Sequence, residues 1–457
     1  MSLFVLLKHP HPAAIWILVF IFLNLFARGV DDPNQNSRLM AMRSMVSDLS
    51  FNVDSYIHWS GDWAKTPDGH YYSNKAPGPM FVGAPIFWLI DKFNGDSSIR
   101  GLSNLDPKYG RIISIFTQVF PFAIILIVLI GQLQQRQLST TSIHFTVLAL
   151  TFGNTSSLFM SDYLGHGLNA VFILGLVCAF FARNIFLVGL TYGFALLCDY
   201  SVGLIFIPLL IILFLQNKNN FQWILFFVAG GVFPGILWIW YHTVAFGGPL
   251  SIAYAYQRPE MLDCANIPGN IGGIFFPTPR LTILYELIFG SSRGILFTQP
   301  WLLFLIAVLI FKKWRILKVF DNAQEDYEFQ LLAIFAFLGL FALLFMNASF
   351  GAWHGGFTAG PRYICLMFPV FAILGGKCHQ KLSSPMRIIL WGLLIVSLVF
   401  RSLVYGSTIR VEYDMPIWTW YMEYMENASH DDAFQLLLFY FCLGAAAIVV
   451  YKRNNLI

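Results

Sequence analysis

Charge is scarce in this chain: Asp, Glu, Lys and Arg make up 11% of its 457 residues, against 57% hydrophobic. That balance excludes an ordinary water-soluble protein, where about a quarter of residues are charged. With a mean hydropathy of +0.65, the solvent for most of the chain is lipid. Cysteine is sparse too: six residues, at 178, 198, 264, 365, 378 and 442, fall mostly within or beside apolar runs, so no disulfide framework is indicated. No GxGxxG, Walker, HExxH or CxxC motif stands in a suitable setting, which leaves nucleotide and zinc chemistry without support. A basic patch interleaved with aromatics is also missing, so no nucleic-acid partner is expected. The first apolar stretch, residues 13–27, lacks a small-residue cleavage site and reads as a retained helix rather than a signal peptide.

What is abundant is long apolar sequence. A bilayer core needs about 20 mostly apolar residues per helix, and runs approaching that occur throughout, leaving no soluble catalytic domain. Spans are expected near residues 12–28, 109–132, 141–160, 165–182, 184–200, 202–216, 221–243, 293–311, 328–348, 361–376, 387–405 and 433–451. The expectation is thus a single all-α membrane domain, residues 1–457, of about twelve transmembrane helices. With the N-terminus cytoplasmic, this register puts Lys8, Arg136, Arg183, Lys218, Lys312, Lys313, Arg315, Lys318, Lys377, Lys381, Arg387, Lys452 and Arg453 on one side. That is the positive-inside pattern, and shifting the register by one helix would reverse it.

Four outer segments result: residues 29–108, 244–292, 349–360 and 406–432. In the first, apolar residues at 39, 40, 42, 45, 46 and 49 suit an amphipathic helix lying in the interface. Residues 79–90 are apolar but short for a span, and read as interfacial or re-entrant. Trp418, Trp420, Tyr421 and Tyr424 in the last segment read as an aromatic belt.

Titratable residues gather on this outer side. Asp31 and Asp32 follow the first span, and Asp54, His58, Asp62, Asp68, His70 and Lys75 share its loop. A carboxylate there suits proton abstraction from an attacking hydroxyl. Asp199 ends one span, while Asp162, Tyr163 and His166 occupy a tight turn between two others. Ionisable groups at membrane depth are costly and usually functional. Arg293, in Gly290-Ser291-Ser292-Arg293-Gly294, and Arg362, in the string from Ala352 to Tyr363, each bring a guanidinium to that interface, where Arg can hold a phosphate with two parallel hydrogen bonds. The glycines beside His354 allow a tight backbone that exposes amides to an anion.

The chain resembles the GT-C superfamily of integral membrane glycosyltransferases, in its bacterial branch similar to dolichyl-phosphate-mannose protein mannosyltransferases. The resemblance spans most of the sequence. Its carriers are Asn36-Ser37-Arg38, Asn52-Val53-Asp54, Asp62-Trp63-Ala64, the run from Gly69 to Gly78, Tyr163 with His166, Ser292-Arg293-Gly294, Trp353-His354-Gly355-Gly356 and Gly360-Pro361-Arg362-Tyr363. It implies a polyprenyl-phosphate sugar donor, transfer at the outer face in a cavity between the first long loop and the helix bundle, and inversion at the anomeric carbon.

The acidic residue or pair that the superfamily usually carries early in that loop is replaced before Ser37-Arg38 by Gln35-Asn36. Asp54 is the first choice of base, followed by Asp62, Asp32 and Asp31. Arg293, Arg362, Lys75 and His354 are the candidates for the carrier phosphate, and His70, Tyr163, His166 and Asp199 further site residues. No metal site is assigned, although a divalent metal stays compatible with the chemistry. The expected membrane is the bacterial inner membrane, with both termini cytoplasmic and the acceptor a protein, lipid or glycan. A transporter or lipid flippase, or a noncatalytic protein of this fold, is the alternative. No sustained inverted repeat of the transporter kind is visible.

Overall fold

The computed structural model describes residues 11–27, 32–94, 107–258, 260, 266–272, 274–311, 326–356, 360–406, 415–427 and 429–454. Apolar sequence in lipid must satisfy its backbone internally, so the chain winds into helices. In order these are α1 (Ala14–Phe26), α2 (Pro33–Arg43), α3 (Gly78–Asn94), α4 (Lys108–Gln135), α5 (Thr140–Thr151), α6 (Gly165–Phe181), α7 (Ile185–Cys198), α8 (Phe206–Asn217), α9 (Gln222–Phe246), α10 (Leu281–Phe289), α11 (Pro300–Phe311), α12 (Tyr327–Ser349), α13 (Phe368–Lys381), α14 (Ser384–Gly406), α15 (Ile417–Asn427) and α16 (His430–Asn454). Two short strands, β1 (Trp63–Lys65) and β2 (Tyr71–Ser73), form an antiparallel hairpin between α2 and α3, with Ala64 opposite Tyr72.

Each of the twelve apolar segments falls on a helix. Among the described residues, six helices are long and apolar enough to cross a membrane, and the chain is an all-α polytopic membrane protein. Several segments are interrupted, among them the 202–216 run, where a 3-10 turn, Tyr200–Ile205, precedes α8. In the third, α5 stops at Thr151 and Asn154 caps a separate turn, Thr155–Leu158. A short turn, Ile295–Thr298, precedes α11, and a 3-10 turn, Arg362–Met367, precedes α13. Pro300 and Pro369 restart the helices where their missing N–H costs nothing.

Packing in the bundle relies on small residues where backbones cross. A Cβ on Gly189 of α7 would run into the Phe227 carbonyl of α9, and one on Gly230 into that of Phe186. Close approach of this kind substitutes for hydrophobic attraction, which lipid does not supply between helices.

Charge separates the two ends. At one end Asp326 accepts from Lys377 Nζ at 2.7 Å and Lys381 Nζ at 2.6 Å, while Glu328 binds Arg136 at 2.6 Å. Helix α12 runs from this cluster to Ser349, and α13 begins just after Arg362 and returns to Lys377 and Lys381. A 23-residue helix rises about 35 Å, so Arg362 and the residues after Ser349 lie a bilayer's depth from the lysines. Replacing Asp326, which is 2% exposed, by alanine leaves the buried Lys377 ammonium unpaired. The expected loss is about 3 kcal/mol, read as a lowered midpoint of thermal unfolding in detergent; an unchanged midpoint would refute it.

Two local expectations are corrected. The helix read as interfacial, α2, is an internal strut with residues 35–43 all buried. Its polar groups are paired inside: Ser37 Oγ donates to Asp62 O at 2.6 Å, Arg43 binds Asp91 at 2.6 Å, and Gln35 Oε1 accepts from Tyr163 N at 2.8 Å. Residues 79–90, read as interfacial or re-entrant, lie within α3, a 17-residue helix packed against α2 that is not among the helices long and apolar enough to cross a membrane. In the aromatic belt Trp418 is 56% exposed, whereas Trp420 is 1% exposed because it fills a pocket with Leu158 and Phe400. The Tyr421 and Tyr424 side chains, Lys8, Cys264 and the basic group at 312–318 lie outside the described residues, as do Lys452's neighbours beyond Asn454. The other five cysteines are unbridged.

Candidate functional site

At the end of the bundle opposite the lysines lies a cavity of about 510 Å³. Three segments wall it: Asp32, Asn34, Asp62, Asn74 and Lys75 from the first, Tyr254, Gln257 and Glu260 from the second, and His354, Gly355, Gly356, Arg362 and Tyr363 around the third. Behind it, room for about one water-sized group (roughly 20 Å³) is enclosed by Arg38, Lys75, His166, Asp199, Tyr254 and Arg362.

The first wall is set by helix capping. Asp32 is the N-cap of α2, with Pro33 at the first helical position, and its Oδ1 accepts from Asn34 N at 2.6 Å and Gln35 N at 3.2 Å. Both bonds land on one oxygen, so Oδ2 remains available to a ligand. Six residues on, the inward face of α2 carries Arg38, whose Nη1 donates to Asn34 O and Oδ1 at 2.6 and 2.8 Å. Arg38 Nε is buried without a partner among the described residues.

The hairpin supplies an ion pair, Lys75 Nζ to Asp62 Oδ2 at 2.8 Å, with both side chains nearly buried. Burial alone pushes the Asp62 carboxyl up, but Lys75, with Arg362 and Arg38 beyond it, more than reverses this and holds it below its ordinary value. Lys75 moves down as well, because burial and the two guanidiniums outweigh Asp62. Burial and then Arg362 bring Arg38 down to about 10, which still leaves it charged at neutral pH. Positive charge has been crowded here against its own repulsion. Helix α6 adds to it: a Cβ on Gly165, at its first turn, would sit 3.3 Å from Arg38 Nη2, so this guanidinium rests against the positive end of a 17-residue helix. Such a concentration suits an anion.

The third wall centres on Arg362. Its Nε donates to His166 Nε2 at 2.7 Å and its Nη1 to Gly355 O at 2.8 Å, and His166 Nδ1 lies 3.2 Å from Asp199 Oδ2. Gly355, Gly356 and Gly360 adopt φ of +73°, +73° and +76°, the left-handed region that favours glycine, which lets the loop fold over the guanidinium.

Of the sequence candidates, Asp32, Asp62, Lys75, His354 and Arg362 line the larger cavity, and His166 and Asp199 line the smaller space behind. Asp54 and His70 are not among the lining residues. They pair with each other at 2.7 Å on the hairpin's outer surface, where Asp54 also accepts from Tyr71 N. That partnership raises the His70 pKa, through the hydrogen bond first and the charge second. Arg293 is buried beneath the loop, where Nη2 donates to Gly356 O at 2.6 Å; it braces the wall from behind. Tyr163 joins α6's approach to α3 through its hydroxyl, 2.6 Å from Pro79 O. Asp31 lies outside the described residues. Sequence reasoning passed over Arg38, Asn74, Tyr254 and Glu260 as site residues. Arg38, an arginine within a partly apolar helix, offered a signal of the same kind as Arg293 and Arg362, whereas Asn74, Tyr254 and Glu260 carried none.

Among the described residues, no group of three or more His, Cys, Asp or Glu side chains is arranged to hold a metal ion.

No family model and no curated protein matches the sequence. Among solved structures, the chain is similar to that of ArnT from Cupriavidus metallidurans bound to undecaprenyl phosphate. The two are 13% identical over 95% of this chain and 75% of that one, with a TM-score of 0.51. At that identity the likeness shows a shared fold.

Proposed function

We propose that this protein transfers a sugar from a polyprenyl-phosphate carrier to an acceptor hydroxyl at the non-cytoplasmic face of a bacterial inner membrane, with inversion at the anomeric carbon. The observation that carries the reading is one cavity in which Arg362, Lys75 and Asp62 meet Asp32, with Arg38 behind them. A fold shared with a protein whose structure holds undecaprenyl phosphate supports it.

As the glycosidic bond breaks, charge builds on the leaving phosphate. The remaining N–H groups of Arg362, the Arg38 guanidinium and the Lys75 ammonium are placed to stabilise it. The acceptor oxygen attacks the opposite side of the anomeric carbon while a carboxylate takes its proton. Asp32 is assigned that role in place of Asp54. Asp54 is spent on His70 and Tyr71 away from the cavity, and Asp62 is neutralised by Lys75 at 2.8 Å. Asn74 lines the cavity, its buried Oδ1 accepts no hydrogen bond among the described residues, and it is assigned to a sugar hydroxyl.

All of these groups lie at one end of the bundle, which favours a reaction site over a path through the membrane. The test is direct: purified protein supplied with polyprenyl-phosphate sugars and candidate acceptors should release polyprenyl phosphate. If none of these carriers is bound or consumed, the reading is wrong.

A further inference from the structure

Arg362 can present its guanidinium to a phosphate only if its long side chain is held still. Two contacts hold it, and one passes through a histidine. Arg362 Nε has one hydrogen and can only donate, so the His166 Nε2 that receives it at 2.7 Å must offer a lone pair. The proton of the neutral ring is then on Nδ1, which faces Asp199 Oδ2 at 3.2 Å. Asp199 is itself anchored, because its Oδ1 accepts from Ser201 N at 2.9 Å and caps the turn Tyr200–Ile205. The imidazole is clamped between Phe159 and Tyr363, with ring centroids 5.3 and 5.9 Å away.

We infer that Asp199 and His166 form a positioning relay. Asp199 fixes the tautomer of His166, and His166 in turn orients Arg362 so that Nη2 and the second hydrogen of Nη1 face the carrier phosphate. This rests on the glycosyltransferase reading and deepens it, since it assigns buried groups on α6 and at the end of α7 to donor binding. His166 and Asp199 are not catalytic residues, because both act through Arg362.

The hydrogen bonds make an unusual demand on substitutions. In Asp199→Asn the side chain keeps its shape but has one acceptor. If that oxygen stays on Ser201 N, the amide N–H₂ faces His166 Nδ1 and drives the proton to Nε2, where it opposes Arg362 Nε–H. In His166→Gln the amide oxygen can accept from Arg362 while the N–H₂ donates to Asp199, so both bonds are reproduced. His166→Phe keeps the bulk and makes neither.

The experiment measures the Kd of full-length protein in nanodiscs for undecaprenyl phosphate, used as the probe, with thermal unfolding followed in parallel. Losing one charge-assisted contact to the anchor of a phosphate ligand predicts Kd values raised about tenfold or more for Asp199→Asn and His166→Phe, and within about threefold of the unmodified protein for His166→Gln. In steady state the donor KM rises with kcat less affected, the split expected of weakened ground-state holding. The relay is overturned if His166→Phe binds as the unmodified protein does, or if His166→Gln binds as poorly as His166→Phe. Equal losses of thermal stability in Phe and Gln variants with no difference in Kd likewise reduce the pair to packing. These outcomes concern variants compared with the parent; failure of the unmodified protein to bind the probe would instead remove the glycosyltransferase reading.

Discussion

Replacing Asp32 by asparagine is expected to lower kcat by two orders of magnitude or more, the usual range for a lost general base being about 10²–10⁴. Binding of the polyprenyl-phosphate sugar should survive. Asparagine caps a helix about as well as aspartate, so the two bonds from Asn34 N and Gln35 N, and with them the start of α2, can persist. What the amide cannot do is receive a proton from the acceptor. The companion measurement is Asp54→Asn, which removes the surface charge pairing with His70 while its amide oxygen can still accept from Tyr71 N. Its turnover should stay close to that of the parent. Carrier release measured under saturating donor separates the two residues, and a large loss at Asp54 with none at Asp32 would move the base to the hairpin.

Arg362→Lys should be almost as damaging as Arg362→Ala. The guanidinium serves three directions at once: His166, the Gly355 carbonyl, and the cavity. A lysine has the charge but not the planar fork that allows this division. Removing one preorganised donor to a developing anion costs about 10²–10³ in rate, so kcat/KM should fall by at least that factor in both variants. A lysine variant with near-normal kcat/KM would show that charge alone suffices and that the fork is not aimed at the phosphate. Lys75 needs a different design, because its loss strands the Asp62 carboxylate. Lys75→Met should therefore be measured together with Asp62→Asn and the double variant, the coupling energy of that cycle isolating the ion pair from the contact with donor.

Much of the architecture could be read in advance from apolar run length. Residues 109–132 and 328–348 are recognisably helical because a long apolar segment has few other options in lipid, and α4 and α12 occupy them. Breaks inside runs were less legible. The stop of α5 at Thr151 depends on Asn154 capping a new turn and on Gly153 tucking against Leu394 of a distant helix, neither of which alters hydropathy. The burial of α2 was missed for the same reason: apolar spacing describes one face, while pairing of Gln35, Ser37 and Arg43 with partners elsewhere covers the other.

Within the site, Arg362, Lys75, His166 and Asp199 were identifiable as ionisable residues in costly places. Asp54 was ranked ahead of Asp32 on its match to the family strings, but the sequence does not show that Asp54 is paired with His70. Local sequence shows which groups are available, and not what each has been spent on.

By itself the amino-acid order settled the solvent, the helical class, the end of the bundle where lysines collect and the pool of titratable residues from which a site can be drawn. Those follow from transfer free energies of side chains, which act on each segment independently of the rest. Tertiary structure alone decided which members of the pool meet. Asp32 and Arg362 are brought to one cavity while Asp54 faces outward, because hydrogen bonds and ion pairs act over a few ångströms between segments hundreds of residues apart.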